Sequence, residues 1–142
     1  MKKRVLIVDD EPSIQTALKM LLDSTYQVQI ASEGQTALDL FKQEPPHLVL
    51  LDVMLPGIDG LEVLKVIRAE DATVPVIMLT ATKTVKPAVE AMKMGAADYL
   101  TKPFDAEELR LIVSRTLATQ DLEREVRYLR AQVVNRYAFH NL

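Results

Sequence analysis

Short apolar runs and stretches of helical periodicity alternate along the chain. Residues 4–8, RVLIV, form a strand-like β-branched run that delivers Asp9, Asp10 and Glu11 at its end, with Pro12 placed for a first helical turn. From Ile14, the positions Ala17, Leu18, Leu21 and Leu22 recur at helical spacing and predict an amphipathic helix ending near Ser24. Gln27 to Ile30 alternates as a short, half-buried strand. Gly34 opens a second helix with Ala37, Leu38 and Phe41 inward, stopped by Pro45 and Pro46. Leu48 to Leu51 reads as a third, fully buried strand that ends at Asp52 and is closed by Pro56, Gly57 and Gly60. Leu61, Leu64 and Ile67 make the next helical stripe, and Pro75 introduces a fourth strand, VIML, that ends at Thr80. Ala88, Val89 and Met92 are expected to face inward on a fourth helix, with Gly95 as a left-handed cap. Asp98 to Lys102 is a fifth strand finishing in a lysine. Five strands alternating with helices predict a parallel sheet covered on both faces, with right-handed crossovers.

Asp105 is expected to cap a fifth helix that turns Ala106, Leu109, Ile112 and Val113 to the sheet, closing the domain by about Leu117. No Gly or Pro follows, and residues 118–136 continue in strong helix formers. Within them Leu122, Val126, Leu129 and Val133 step by four, three and four. That spacing puts Val126 and Val133 at a positions and Leu122 and Leu129 at d, a choice that favours a parallel two-stranded coiled coil. Glu125 and Arg130 then fall at g and the next e, where opposite charges pair between chains. The alternative is an amphipathic helix folded back on a neighbour.

Composition narrows the picture. At 142 residues, the chain fits one domain with a helical appendage. Cysteine is absent, which rules out disulfides and thiolate metal sites and fits a cytoplasmic location. A net charge of -3 provides no basic stripe for nucleic acid, so direct DNA binding is not expected. The apolar runs are strand-length, short of the roughly 20 residues a membrane span needs, and the Met-Lys-Lys-Arg start runs straight into a strand, so no signal peptide is read.

In open parallel sheets the functional crevice lies outside the carboxyl ends of the strands. Asp9 and Asp10, Asp52, Thr80 and Lys102 end four different strands and would project there together. A lone Asp or Thr at a strand end is more often a turn or cap residue, but five polar groups of complementary type at corresponding ends are not expected by chance. Clustered carboxylates repel one another, and a hard divalent cation such as Mg²⁺, bound by carboxylate and carbonyl oxygens, relieves this. A carboxylate flanked by Mg²⁺, an ammonium and a hydroxyl can accept a phosphoryl group, with Asp52 as nucleophile.

The set of Asp9-Asp10, Asp52 followed by Met-Leu-Pro-Gly-Ile-Asp-Gly, Thr80-Ala81, and Tyr99-Leu-Thr-Lys102-Pro103-Phe104 resembles the receiver domain of two-component response regulators, over residues 3 to about 117. The resemblance implies a flavodoxin-like (βα)5 fold with strand order 2-1-3-4-5. It implies phosphotransfer to Asp52 from a phosphohistidine on a sensor histidine kinase, with no catalytic turnover beyond self-phosphorylation and self-dephosphorylation. Carried over residue by residue, Asp10, Asp52 and the Met54 carbonyl would hold Mg²⁺ and Asp9 would assist through water. Thr80 and Lys102 would meet the phosphoryl oxygens, Tyr99 would swing inward, and the Lys102-Pro103 bond would be cis. Met54 and Thr82 are expected to lie over the phosphoryl group, where an apolar Met cannot orient an attacking water.

Ala88 to Tyr99 and the last residues, Arg136 to Leu142, resemble the NtrC type of sigma-54-dependent activators, the latter at the junction into their ATPase domain. Residues 1–117 are therefore expected to be a receiver, and residues 118–142 a helical linker that dimerises and leads to an ATPase domain. No Gly-x-x-x-x-Gly-Lys loop and no DNA-binding helix pair occur in the chain. Three other readings stay open: an aspartyl phosphatase of the haloacid dehalogenase type, a flavin-binding module on the same sheet, and a freestanding receiver that relays phosphate. His47 and His140 lack companions at ligand spacing, so no metal role is expected of them.

Overall fold

The computed structural model describes residues 2–81 and 85–140. Thr82 and the last two residues of the junction stretch lie outside the described residues. Strands and helices alternate as β1 (Arg4–Val8), α1 (Pro12–Leu22), β2 (Gln27–Ala31), α2 (Gly34–Gln43), β3 (Leu48–Asp52), α3 (Gly60–Glu70), β4 (Val76–Ala81), α4 (Val85–Lys93), β5 (Asp98–Lys102) and α5 (Ala106–His140). All strand pairs are parallel, in the order β2-β1-β3-β4-β5.

Side-chain alternation along the strands splits the core in two. Val5 and Ile7, Leu48 and Leu50, and Ile77 and Leu79 point to one face, where Leu18 and Leu22 of α1 and Leu109, Ile112 and Val113 of α5 cover them. Leu6 and Val8, Val49 and Leu51, and Val76 and Met78 point to the other, under Phe41 of α2, Leu64 and Ile67 of α3 and Ala91 of α4. Continuous apolar runs rather than alternating ones are what a sheet buried on both faces requires. Helix ends follow their local chemistry: Pro12 starts α1, Asp59 caps α3 by accepting the Glu62 N–H at 2.9 Å, and Gly95 takes φ +100° just after α4.

The inward face expected of α4 is corrected. Ala88 and Ala91 are buried, whereas Val89 and Met92 are 48% and 40% exposed. Two alanines let the helix backbone approach the sheet closely, and the larger side chains are left on the outer flank.

The fifth helix packs through Leu117 and Gln120 and is joined to the segment just before β1 by an ion pair between Lys3 and Asp121. Beyond it the helix leaves the body of the domain. Leu122, Val126, Leu129 and Val133 are 62%, 38%, 50% and 65% exposed, one apolar stripe on a helix that the sheet no longer covers. Among the described residues, no helix is long and apolar enough to cross a membrane.

Candidate functional site

The parallel register brings the carboxyl ends of the strands into one crevice. Asp9 follows β1 directly, still donating its N–H to Ala31 O at 3.1 Å, and is fully buried. Asp52 is the last residue of β3, Thr80 is the penultimate residue of β4, and both are buried. Lys102 ends β5. Its ammonium lies 2.7 Å from Asp9 Oδ2, 3.0 Å from Asp52 Oδ2 and 3.8 Å from Glu11 Oε1. One cation therefore joins the first, third and fifth strands, although β3 and β4 stand between β1 and β5.

The remaining oxygens are held by the backbone. Asp52 Oδ1 accepts the Met54 N–H at 3.0 Å, and Asp9 Oδ1 accepts the Glu11 N–H at 2.9 Å, each an Asx-type turn that aims its carboxylate. Behind Asp52, Gly60 donates its N–H to Val53 O at 2.9 Å. A Cβ on Gly60 would stand 2.1 Å from the Asp52 carbonyl oxygen, so only glycine lets α3 start this close to β3.

Burial pushes the Asp52 carboxyl above the usual carboxylate range, and the negative charge of Asp9 adds to this; the Met54 N–H and the Lys102 ammonium pull the other way without cancelling it. Burial presses Lys102 to lose its proton, but its contacts with Asp9 and Asp52 outweigh that and raise its pKa. The crevice thus stores excess negative charge on oxygen ligands. Asp9, Asp10 and Asp52 each present a carboxylate oxygen within 4.8 Å of the others, with Asp10 exposed and the other two buried. An all-oxygen set of this kind suits a hard cation such as Mg²⁺ or Ca²⁺ and suits soft metals poorly.

The structure brings together Asp9, Asp10, Asp52 and Lys102, buries Thr80 near the end of the adjacent β4, and places the Met54 backbone against Asp52 while the Met54 side chain is 63% exposed. Tyr99 is 48% exposed. The Lys102-Pro103 bond is cis. His47 lies at the opposite end of the sheet, where its Nδ1 accepts the Arg4 N–H at 2.9 Å. Two residues passed over in the sequence are Gln15 and Ser32: the Gln15 amide bonds both Asp9 O and Ser32 Oγ. The available signal was position, since Gln15 stands one helical turn after Glu11, on the side that looks back to the strand end.

A family model described as "Response regulator receiver domain" matches residues 5–114. The chain is 42% identical over 127 residues to the regulatory protein AtoC of Escherichia coli, covering 89% of this chain and 28% of AtoC. Among solved structures, NtrX from Brucella abortus superposes with a TM-score of 0.86 at 36% identity, over 91% of this chain and 30% of that one. The signal receiver domain of a putative LuxO repressor protein from Vibrio parahaemolyticus superposes with a TM-score of 0.82 at 33% identity, over 89% of this chain and 98% of that one. The chain spans less than a third of the length of AtoC and of NtrX.

Proposed function

The chain belongs to the response regulator receiver domain family, and on that premise we propose that Asp52 is its phosphoacceptor and that Mg²⁺ is its cofactor. As a receiver, it serves phosphorylation-dependent two-component signalling with sensor histidine kinases. The observation that carries the assignment is the single ammonium shared by two buried carboxylates at the mouth of the sheet.

In the proposed reaction a carboxylate oxygen of Asp52 attacks the phosphorus of a phosphohistidine. The new P–O bond forms as the N–P bond breaks, and the bonding pair returns to the imidazole, which takes up a proton. Asp10, Asp52 and the Met54 carbonyl would hold Mg²⁺, with Asp9 assisting through water. When bound, the ion supplies positive charge that offsets the negative charge of the carboxylates and of the transferring group. Lys102 stands where it can follow an anionic oxygen, and Thr80 places a hydroxyl one residue before the end of the neighbouring strand. Burial first, and the charge of Asp9 second, hold the Asp52 carboxyl above its ordinary pKa, and a bound cation would oppose both.

A phosphoryl group adds roughly -1.5 to -2 charges at one point. Thr80 and Lys102 drawn toward it would move β4 and β5, and Tyr99, 48% exposed, would turn inward with them. The outcome passes to α5. Its bare stripe of Leu122, Val126, Leu129 and Val133 supports a parallel homodimer whose arrangement phosphorylation alters. The similarity to AtoC and NtrX supports a longer native chain whose output is transcriptional activation through a sigma-54-type ATPase domain. Turnover of an external substrate is not part of this reading, and a cytoplasmic setting with no direct nucleic acid contact by this segment fits it.

The test is incubation with Mg²⁺ and a small phosphodonor such as acetyl phosphate, followed by mass spectrometry. An acid-labile gain of one phosphoryl mass on Asp52 is expected, and it should vanish in Asp52→Asn. Equal labelling of the variant, or labelling that ignores chelation of the metal, overturns the assignment.

A further inference from the structure

The backbone ladder of β1 stops at Val8, which pairs with Ala31 on one side and Leu51 on the other. The Asp9 carbonyl lies past that ladder and accepts a hydrogen bond from Gln15 Nε2 at 2.6 Å. The same nitrogen donates its second proton to Ser32 Oγ, 2.9 Å away in the turn between β2 and α2. A carbonyl can only accept, so the orientation of the Gln15 amide is set by chemistry.

The other restraints on this loop act on Asp9 and Glu11, not on the Asp9 carbonyl: Asp9 Oδ1 accepts the Glu11 N–H, the Glu11 carbonyl accepts the Gln15 N–H at 3.0 Å, and the Glu11 carboxylate lies 3.8 Å from Lys102. Pro12 has no N–H, and Glu11 provides no side-chain cap for α1. The Asp9 carbonyl and the Asp10 nitrogen belong to one planar peptide unit, so holding that oxygen fixes the direction in which the chain enters Asp10. Asp10 is the exposed member of the acid cluster, while Asp9 and Asp52 are buried.

We propose that Gln15 is a positioning residue for the metal-binding carboxylates, bridging the Asp9–Asp10 peptide to Ser32 and so aiming Asp10 into the crevice. The inference rests on the reading that Asp10 and Asp52 hold Mg²⁺. Gln15 itself touches no ligand oxygen; it acts through the peptide it holds. Ser32 supplies the second anchor, which ties the metal loop to the neighbouring β2–α2 turn and keeps the Gln15 side chain extended.

Mn²⁺, a paramagnetic stand-in for Mg²⁺, titrated into the whole chain without phosphodonor and followed by electron spin resonance of the free ion, reads the affinity directly. Gln15→Met keeps the length and deletes both donors, and it should weaken binding roughly tenfold, the scale at which outer partners of metal ligands act. Ser32→Ala removes one anchor and should cost about threefold, and Gln15→Arg, which can donate to both oxygens again, should recover to within about threefold of the parent despite its charge. Metal-free thermal midpoints should stay together across the set, which separates aim from stability. Parental affinity in Gln15→Met, or equal weakness in Gln15→Met and Gln15→Arg, overturns the inference while leaving the metal site intact, provided Asp10→Asn abolishes binding. A parent that binds no Mn²⁺, or whose binding ignores Asp10→Asn, sinks the metal reading and this inference together.

Discussion

Replacing Lys102 by methionine keeps most of the stem and deletes the one charge that two buried carboxylates share. The ammonium is 2.7 Å from Asp9 Oδ2 and 3.0 Å from Asp52 Oδ2, and the three side chains are 14%, 0% and 6% exposed, so solvent screens these contacts little. Removing one partner of a buried pair costs roughly 3–5 kcal/mol, because the charge left behind has no compensation. Protonation of one carboxyl caps the loss, which places the expected cost at about 3 kcal/mol in metal-free buffer at neutral pH. For a domain of this size, that lowers the thermal midpoint by roughly 10 °C. The pH dependence has a definite sign. Burial already holds the Asp52 carboxyl above its ordinary pKa, and without the ammonium it rises further. The native variant then binds a proton that the unfolded chain at the same pH does not, so its stability rises as pH falls and its deficit against the parent narrows. Urea unfolding followed by circular dichroism, at neutral pH and again in mildly acidic buffer, measures both effects. A variant as stable as the parent at the higher pH, or a deficit that widens on acidification, would refute the idea that Lys102 neutralises the buried pair.

Gly60→Ala forces a Cβ to within 2.1 Å of the Asp52 carbonyl oxygen and 2.8 Å of Val53 Cα, both backbone atoms. It should cost about 3 kcal/mol in urea unfolding and slow phosphorylation by displacing Asp52; an unchanged midpoint would count against the close approach. His47 is held below its ordinary pKa by burial first and by the positive charges of Arg4, Lys3 and Arg124, with Asp121 opposing. Its contribution to stability is therefore present above about pH 6.5, the unfolded value, and is lost as pH falls through the lower folded value. His47→Gln should flatten that part of the acid limb, and an identical pH profile would exclude the role. Leu129→Asp puts a charge into the exposed α5 stripe, where the monomer barely buries it, so sedimentation should show weaker self-association with the thermal midpoint of the receiver body almost unmoved.

Much of the fold was legible because each element carries its own period. The unbroken apolar runs of β1, β3 and β4 announce strands buried on both faces, and Pro12, Pro45 and Gly95 mark helix limits by removing an N–H or by adopting a positive φ. The acids, hydroxyl and lysine at strand ends were visible for the same reason, since a parallel sheet sends all its carboxyl ends to one side. The face of α4 was not legible. A helical stripe of Ala88, Val89 and Met92 is consistent with periodicity, but the choice between Ala91 and Met92 as the inward residue depends on how near the helix stands to the sheet.

From sequence alone came the kinds of group that meet at the crevice and the order in which the chain delivers them, because backbone propensity and side-chain alternation are local. The tertiary structure decided the partnerships. That Lys102 divides its charge between Asp9 and Asp52, that Gly60 must lack a side chain, and that Gln15 reaches both Asp9 and Ser32 all depend on distances between segments remote in sequence. Such distances are set by strand order and by the depth of helix packing, which residue spacing along one element does not encode.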